Sequence, residues 1–455
     1  MNSSPFALAI LIVLVAWITR LLADKEARKV VLTWTLFGIL IGILKNLLVQ
    51  MTPQWSDVPV DSLTYQLHAE ALFMHWSGLP VDAHAYDLAG YLNGWQQLYD
   101  DMWMPDSRIA YASALGTHEW IYAAFLALWQ VNGSDWVGVA ILANAVLAGA
   151  LPAAAFMITK ELGGSFKICN LAALIVALDP STAINSAWLI KDSLAALISV
   201  VAIIAICNLC KKPSLKFTLI LALTLGLLAG VRFVAYIAFG VVMAGLVIYL
   251  IIKKTKVRAA NLTVAGVISL ALWVALYLVP SPPTPKQVIQ AITSPIQAQA
   301  TTLKADKNET GSDESVIQWR TYLNDNPLKA ATRAIARTLF APYPWTAITE
   351  GVTGTNHIEL YLFGTLFWII TLPGIFMGMA IATRHGMTGY ALVALIVVIT
   401  IPYLIFFGEW STRQRVFMMP LFFSFAAIGW HHIWQLSLKR SPRRTLSGPL
   451  TNQYD

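Results

Sequence analysis

The sequence predicts an all-α protein that crosses a membrane about eleven times, with two long loops on one side. Three observations carry that expectation. Of the 455 residues, 57% are apolar and 12% charged, against about 25% charged in a soluble domain. Apolar runs of about 20 residues, each sufficient to cross roughly 30 Å of hydrocarbon, recur from end to end. The basic residues gather in short clusters between those runs, which is a signature of membrane topology. Mean hydropathy is +0.63. Disordered, collagen-like and disulfide-framework classes are excluded, as is the string of soluble domains that length alone would suggest. The net charge of +7 follows from the topology clusters, and no nucleic-acid partner is expected.

Hydropathy places crossings near residues 6–22, 31–50, 136–158, 168–186, 192–210, 216–231, 233–252, 259–279, 357–381, 388–407 and 416–436. With the N-terminus outside, the clusters at 24–29, 160–167, 211–216, 253–258 and 384–387 and the tail from 437 are all cytoplasmic. The first run lacks the basic start of a cleaved signal and reads as an uncleaved helix. The chain then divides into two N-terminal helices (1–50), an acidic extracytoplasmic loop with juxtamembrane helices (51–135) and a helical core (136–279). A second extracytoplasmic loop (280–356), C-terminal crossings (357–436) and a cytoplasmic tail (437–455) complete it. The location that fits is a plasma (inner) membrane.

Residues 51–118 hold Asp57, Asp61, Glu70, Asp82, Asp87, Asp100, Asp101 and Asp106 against a single basic residue, Arg108, so a third of the 24 acids lie in one loop. Topology does not demand this, because acids contribute little to it. Leu63, Leu67, Ala71 and Met74, and later Trp120, Ala124 and Leu128, recur at near-helical steps and predict short helices lying on the membrane. The run from 118 to 130 is too short to span and is expected flat against the outer face. Within SDVPVDSLTYQLHAEAL, Pro59 sets a helix start, and Asp61, Tyr65, Ala69 and Leu72 share a face. Asp61 is either a first-turn acid favoured by the helix dipole or a base at the water boundary. The spacing leaves both open.

These stretches carry a resemblance. DSLTYQLHAEAL resembles the opening of the first extracytoplasmic loop in the GT-C superfamily of membrane glycosyltransferases, which use polyprenyl-phosphate-linked sugars. HEWIYAAFLALWQVNGSDWVGVAILANAVLAGALPAAAFMITKELGG is similar to the amphipathic helix, Gly-Ser break and crossing that follow there. IVALDPSTAINSAWLIKDSLAALIS resembles the Pro, then Lys-Asp segment of bacterial members acting in cell-surface polysaccharide synthesis, and LFAPYPW and STRQRVFMMP resemble later outer-loop motifs. The order of these short motifs, over roughly residues 31–435, carries the likeness. The chain departs from the family in its extra N-terminal helix. The type it resembles is the bacterial surface-polysaccharide, PMT/ArnT-like one, but it lacks the Lys-Pro-Pro-Leu segment and the Asp-Glu pair common in subgroups that transfer to lipid A or to protein, which makes those two acceptors less expected.

The resemblance implies transfer of a sugar, with inversion, from a polyprenyl-phosphate-linked donor to a saccharide or lipid-linked acceptor at the outer face. A polysaccharide polymerase or O-antigen ligase, which uses a lipid-linked oligosaccharide, is the alternative within the superfamily. It also places the catalytic base on Asp61, with Asp57 second, and includes Tyr65 among the substrate contacts. Charge growing on the lipid phosphate calls for cations at the outer surface, and Lys191, Arg232, Arg413 and Arg415 map to outer helix ends. Each has a plainer role too: Lys191 beside Asp192 is a helix-start pair, Arg232 marks a hairpin turn, and Glu409 to Arg413 is a local ion pair. Arg413 and Arg415 stand two apart, so only one is expected to point inward.

In the second loop, residues 280–315 read as a Pro-rich, polar lid, whereas Lys329, Arg333 and Arg337 form a cationic helical stripe suited to a phosphate, an anionic sugar or anionic lipid heads. Tyr343 and Trp345 read as interfacial anchors, and Asn308 opens a sequon that matters only in a glycosylating host. Cys169, Cys207 and Cys210 lie in or beside apolar runs, so no disulfide is expected, and the lone CxxC is a poor metal motif. No cofactor is required by the sequence; a divalent metal is compatible with the acids, whose irregular spacing defines no site. P-loop, GxGxxG, HExxH and nucleophile-elbow motifs are absent. A carrier or flippase for lipid-linked sugars is the reading from another class, and it needs ionisable groups near mid-membrane and repeated halves. Lys45 is the one intramembrane charge that the hydropathy reading places, within snorkelling reach of the outer interface.

Overall fold

The computed structural model describes residues 4–52, scattered positions between 62 and 77, and residues 120–278, 326–340, 358–407 and 415–440. Among these the chain is helical throughout, with no strand. Nine helical stretches among the described residues are long and apolar enough to cross a membrane: Pro5–Leu22, Arg28–Met51, Trp136–Glu161, Asp192–Lys211, Phe233–Ile252, Lys256–Ala275, Phe363–Ala382, Met387–Leu404 and Val416–Leu438. Two further expected crossings correspond to shorter apolar helices, Phe166–Leu178 and Leu215–Ala229. The protein is an all-α, multi-pass integral membrane protein.

The helices run α1 (Ser4–Leu22), α2 (Arg28–Met51), α3 (Trp120–Ala127), α4 (Trp136–Gly149), α5 (Leu151–Glu161), α6 (Phe166–Leu178), α7 (Pro180–Ser186) and α8 (Asp192–Lys211). They continue with α9 (Leu215–Ala229), α10 (Phe233–Ile252), α11 (Lys256–Leu278), α12 (Pro327–Phe340), α13 (Ile358–Ala382), α14 (Met387–Phe407) and α15 (Met419–Arg440). A 3₁₀ segment, Leu128–Asp135, joins α3 to α4, and Val416–Met418 leads into α15.

The α4–α5 stretch, α8 and α15 form the centre, with 89%, 83% and 78% of their apolar windows buried. By contrast α1 and α2 turn Val13, Trp17, Leu36, Leu40, Leu44 and Leu48 outward, as helices facing lipid do. Because lipid is as apolar as leucine, close packing supplies the contact energy between such helices. Two Gly-x-x-x-Gly stretches provide it. A Cβ on Gly38 of α2 would stand 2.1 Å from the Gly149 carbonyl oxygen of α4, and one on Gly378 of α13 would stand 1.9 Å from the Phe425 carbonyl oxygen of α15. Only glycine permits either approach.

One expected crossing is not continuous. The run 168–186 breaks at Asp179, where the backbone leaves the helix and Pro180 opens α7. Asp179 is fully buried and caps α7, its Oδ1 accepting from Ser181 N at 3.1 Å and its Oδ2 from Thr182 N at 3.2 Å. Lys45 is therefore not the one charged side chain in the crossings. Its ammonium turns into the bundle and donates to the Asp179 carbonyl at 2.8 Å, instead of reaching out to the interface.

The two ends of the bundle differ chemically. At one, Lys160 pairs with Asp24 at 2.8 Å and Lys211 with Glu161 at 2.7 Å, while Lys216 donates to Leu21 O and Arg258 to Cys210 O. The Lys160 and Ala27 hydrogen bonds hold the Asp24 carboxyl below its usual range, although partial burial, the largest single influence, works against them. This is the end that the basic clusters assign to the cytoplasm. At the other end lie α3, the turn between α9 and α10, α12 and the start of α15.

Candidate functional site

The described site candidates, Tyr65, Lys191, Arg232 and Arg415, lie at that second end. Tyr65, Gln66, Ala69, Glu70, Leu72 and Phe73 are helical, and Tyr65, Ala69 and Leu72 pack in one apolar cluster with Tyr122, Leu126, Trp129, Trp136 and Leu189. The Tyr65 and Tyr122 rings meet edge to face at 5.0 Å, a favoured arrangement. Tyr122 in turn accepts a hydrogen bond from Asn144 Nδ2 at 2.8 Å. A short helix, α3, stands within the run 118–130, and Ile121 N donates to Gly230 O at 3.3 Å, docking α3 on the α9–α10 turn.

Lys191 and Asp192 stand where the chain enters α8. The Lys191 ammonium lies over the Tyr65 ring, 5.8 Å from its centre. Asp192 is 1% exposed and pairs with Arg232, whose Nη2 is 2.8 Å from Asp192 Oδ1. The Arg232 guanidinium also covers the Phe417 ring at 4.4 Å. So the α8 entry, the α9–α10 turn and the 3₁₀ segment before α15 converge on one buried ion pair and one aromatic face. Cation–π contacts of this kind strengthen where water is excluded.

Arg415 is fully buried. Its guanidinium lies 4.2 Å over the Trp368 ring and Nη1 donates to the Thr338 carbonyl near the end of α12. Trp368 Nε1 donates to the adjacent Leu339 carbonyl at 3.1 Å. Helix ends leave such carbonyls without intrahelical partners, so Arg415 and Trp368 together cap α12 and tie it to α13 and α15. Of the α12 stripe, Lys329 is exposed while Arg333 and Arg337 are half-buried, and Ala330, Ala334 and Thr338 form the buried face.

The structure thus brings Tyr65, Lys191 and Arg232 into one connected cluster and puts Arg415 beside it, two residues before Phe417. Asp57, Asp61, Glu409, Arg413, Asn308, Tyr343 and Trp345 lie outside the described residues. Among the described residues no three His, Cys, Asp or Glu side chains gather as a metal site. The three cysteines are buried thiols. Sequence reasoning missed Asn144 and Ser62, and took Asp192 only as a partner for Lys191. Asn144 carried a signal, since it is a lone carboxamide in the apolar run AILANAVLAG.

Glu70, in the acidic loop, is 8% exposed, and burial pushes its carboxyl above the usual range against a 3.2 Å hydrogen bond from Gln66. It is packed into the apolar cluster's helix as a guest carboxyl, unlike a solvated acid.

The order and packing of the helices define a membrane-protein fold that solved structures share. The particular likeness is to the archaeal oligosaccharyltransferase AglB from Archaeoglobus fulgidus in complex with an inhibitory peptide and a dolichol-phosphate, with a TM-score of 0.52 and 14% identity, over 95% of this chain and 53% of that one. The apo form of the Archaeoglobus fulgidus oligosaccharyltransferase also matches, with a TM-score of 0.48 and 13% identity, over 90% of this chain and 51% of that one. The chain spans about half the length of the structures it matches. No family model and no curated protein matches it.

Proposed function

We propose that the chain is an inverting glycosyltransferase that moves a sugar from a polyprenyl-phosphate-linked donor to a saccharide or lipid-linked acceptor at the outer face of a plasma (inner) membrane, in cell-surface polysaccharide or glycoconjugate synthesis. The observation that carries the reading is the meeting of Tyr65, Lys191, Asp192 and Arg232 at the end of a GT-C fold fed by the acidic loop. In the reaction, Asp61 takes the proton of the acceptor hydroxyl as its oxygen attacks the anomeric carbon, with Asp57 the second candidate. The bond from that carbon to the phosphate oxygen breaks, the electron pair leaves with the phosphate, and a single displacement inverts the centre. Lys191 and Arg232, with Arg413 as a further candidate, supply positive charge where the leaving phosphate gains negative charge, whereas the buried Arg415 is occupied in capping α12 and acts on the structure around them. No step is assigned to a metal.

The matched structure holds a dolichol-phosphate and belongs to an oligosaccharyltransferase. That supports, as a second reading, a lipid-linked oligosaccharide donor, as in a polymerase or ligase. The test is release of free polyprenyl phosphate by purified protein in lipid from a mixed pool of polyprenyl-linked sugars. Asp61→Asn changes one proton site and almost no volume, so it should insert normally and lose about a hundredfold or more of the release. Retained release with Asp57→Asn inactive would move the base to Asp57. No release from any donor, together with passage of intact donor across the bilayer, would favour the carrier.

A further inference from the structure

The backbone between α7 and α8 is not helical from 187 to 190, yet Ala187, Trp188, Leu189 and Ile190 are each at most 3% exposed. Irregular backbone at membrane depth is tolerated only where protein satisfies its polar groups. Here side chains from three other parts of the chain do so in succession. Asn46 Nδ2 donates to Ser186 O at 2.8 Å, Gln50 Nε2 donates to Ala187 O, and Asn144 Nδ2 donates to Trp188 O at 2.8 Å and Ile190 O at 3.4 Å. The remaining contact runs the other way: Leu189 N donates to Ser62 Oγ at 3.0 Å. Asn46, Gln50 and Asn144 belong to transmembrane helices. Ser62 belongs to the acidic outer loop, directly after Asp61 in the sequence, and is 3% exposed.

Ser62 and Tyr65 lie about one helical turn apart. Ser62 holds the Leu189 amide, and Tyr65 lies under the Lys191 ammonium at 5.8 Å. The first outer loop therefore grips the segment that delivers Lys191 and Asp192 at two successive points, and through Asp192 it is linked to Arg232. A hydroxyl at 62 is the shortest side chain that can accept from a backbone amide, so alanine there breaks the link and leaves a buried N–H without its acceptor.

We propose that Ser62 is a positioning residue that fixes the loop carrying the base against the Leu189–Lys191 backbone, so that base and phosphate-facing cation are held in one register. This rests on the proposed glycosyltransferase reading. Ser62 touches no substrate and acts through the placement of the loop relative to the Leu189–Lys191 backbone. Misplacement of a catalytic group by about 1 Å can cost a hundredfold in rate, and loss of one of two grips should cost about tenfold.

The test is a double-mutant cycle in lipid, following polyprenyl phosphate release with Ser62→Ala, Lys191→Ala and the pair. Ser62→Ala should lower kcat about tenfold with donor KM nearly unchanged, and Ser62→Thr, which keeps the hydroxyl, should recover most of it. The double variant should lose less than the product of the two single losses, because part of what Ser62 does is to place Lys191, and linked residues are not additive. Additive losses, or an unchanged Ser62→Ala, would overturn the proposal. Hydrogen exchange at the Leu189 amide gives a readout free of activity: protection present in the wild type should fall about tenfold or more in Ser62→Ala and persist in Ser62→Thr. Unchanged exchange would also overturn it. An inactive wild type in which Ser62 still protects Leu189 would instead defeat the glycosyltransferase reading.

Discussion

A single buried ion pair decides much at the residue scale. Asp192 is 1% exposed and its partner Arg232 11%, and removing one member of such a pair strands the other's charge at about 3–5 kcal/mol. Arg232→Ala is expected to lower the thermal unfolding midpoint of the purified protein by several degrees. Arg232→Lys keeps the charge but loses the planar fork and the stack on Phe417, so it should retain more stability than Ala while losing transfer. Equal midpoints for wild type and Arg232→Ala would remove the pair from the folding argument. Glu70 gives a pH dependence. Its carboxyl is raised by burial, so below its ordinary range it is neutral in both folded and unfolded states and costs nothing. As pH rises through the ordinary and then the raised value, the unfolded chain ionises first and the fold loses stability. Glu70→Gln should therefore raise the unfolding midpoint more at about pH 8 than at about pH 4. A larger gain at the acid end would contradict the burial. The sequence made part of this legible. Arg415 stood out in the sequence as a cation at a helix end, and it is fully buried; Arg413 lies outside the described residues. Sequence position did not reveal that the Arg415 guanidinium meets the α12 carbonyls, because that contact joins residues 77 apart.

Among elements, hydropathy found the helices because a lipid-crossing segment must satisfy every backbone group internally. It missed the break at Asp179, since an averaging window runs through one Asp-Pro pair. The local chemistry was present in the sequence: an Asp at the cap followed by Pro at the first helical position is a helix start. The close glycine contacts were legible in the same way, as GILIG in α2 and GIFMG in α13, although spacing alone does not name their partners. They yield a paired prediction. Gly378→Ala drives a methyl into the Phe425 carbonyl, a backbone atom that cannot swing aside, and should destabilise by about 1–3 kcal/mol or more. Gly240→Ala in α10, where a Cβ meets nothing within 4 Å, should be neutral or stabilise by up to about 1 kcal/mol through helix propensity. Unfolding midpoints of the two variants decide the matter. Equal effects would mean that α13 and α15 tolerate separation.

At the scale of the whole molecule, the charge pattern and the contacts sort the chain's two ends in the same way. Asp24, Lys160, Glu161 and Lys211 make their ion pairs among the loops and helix ends that the basic clusters assign inward. Tyr65, Lys191, Arg232 and Arg415 lie among the segments assigned outward. The excess of Lys and Arg near the short loops is what predicts that the first of these ends faces the cytoplasm. The native thiols make the orientation measurable, because Cys169, Cys207 and Cys210 are 0%, 0% and 4% exposed and should stay unlabelled in folded protein. With cysteine introduced singly at Ser3 or at Ser441, a membrane-impermeant maleimide applied to right-side-out vesicles should label the first and spare the second, and inside-out vesicles should reverse the pattern. The reverse result in each preparation would invert the molecule, place Lys191 and Arg232 in the cytoplasm, and require a donor whose sugar is presented there.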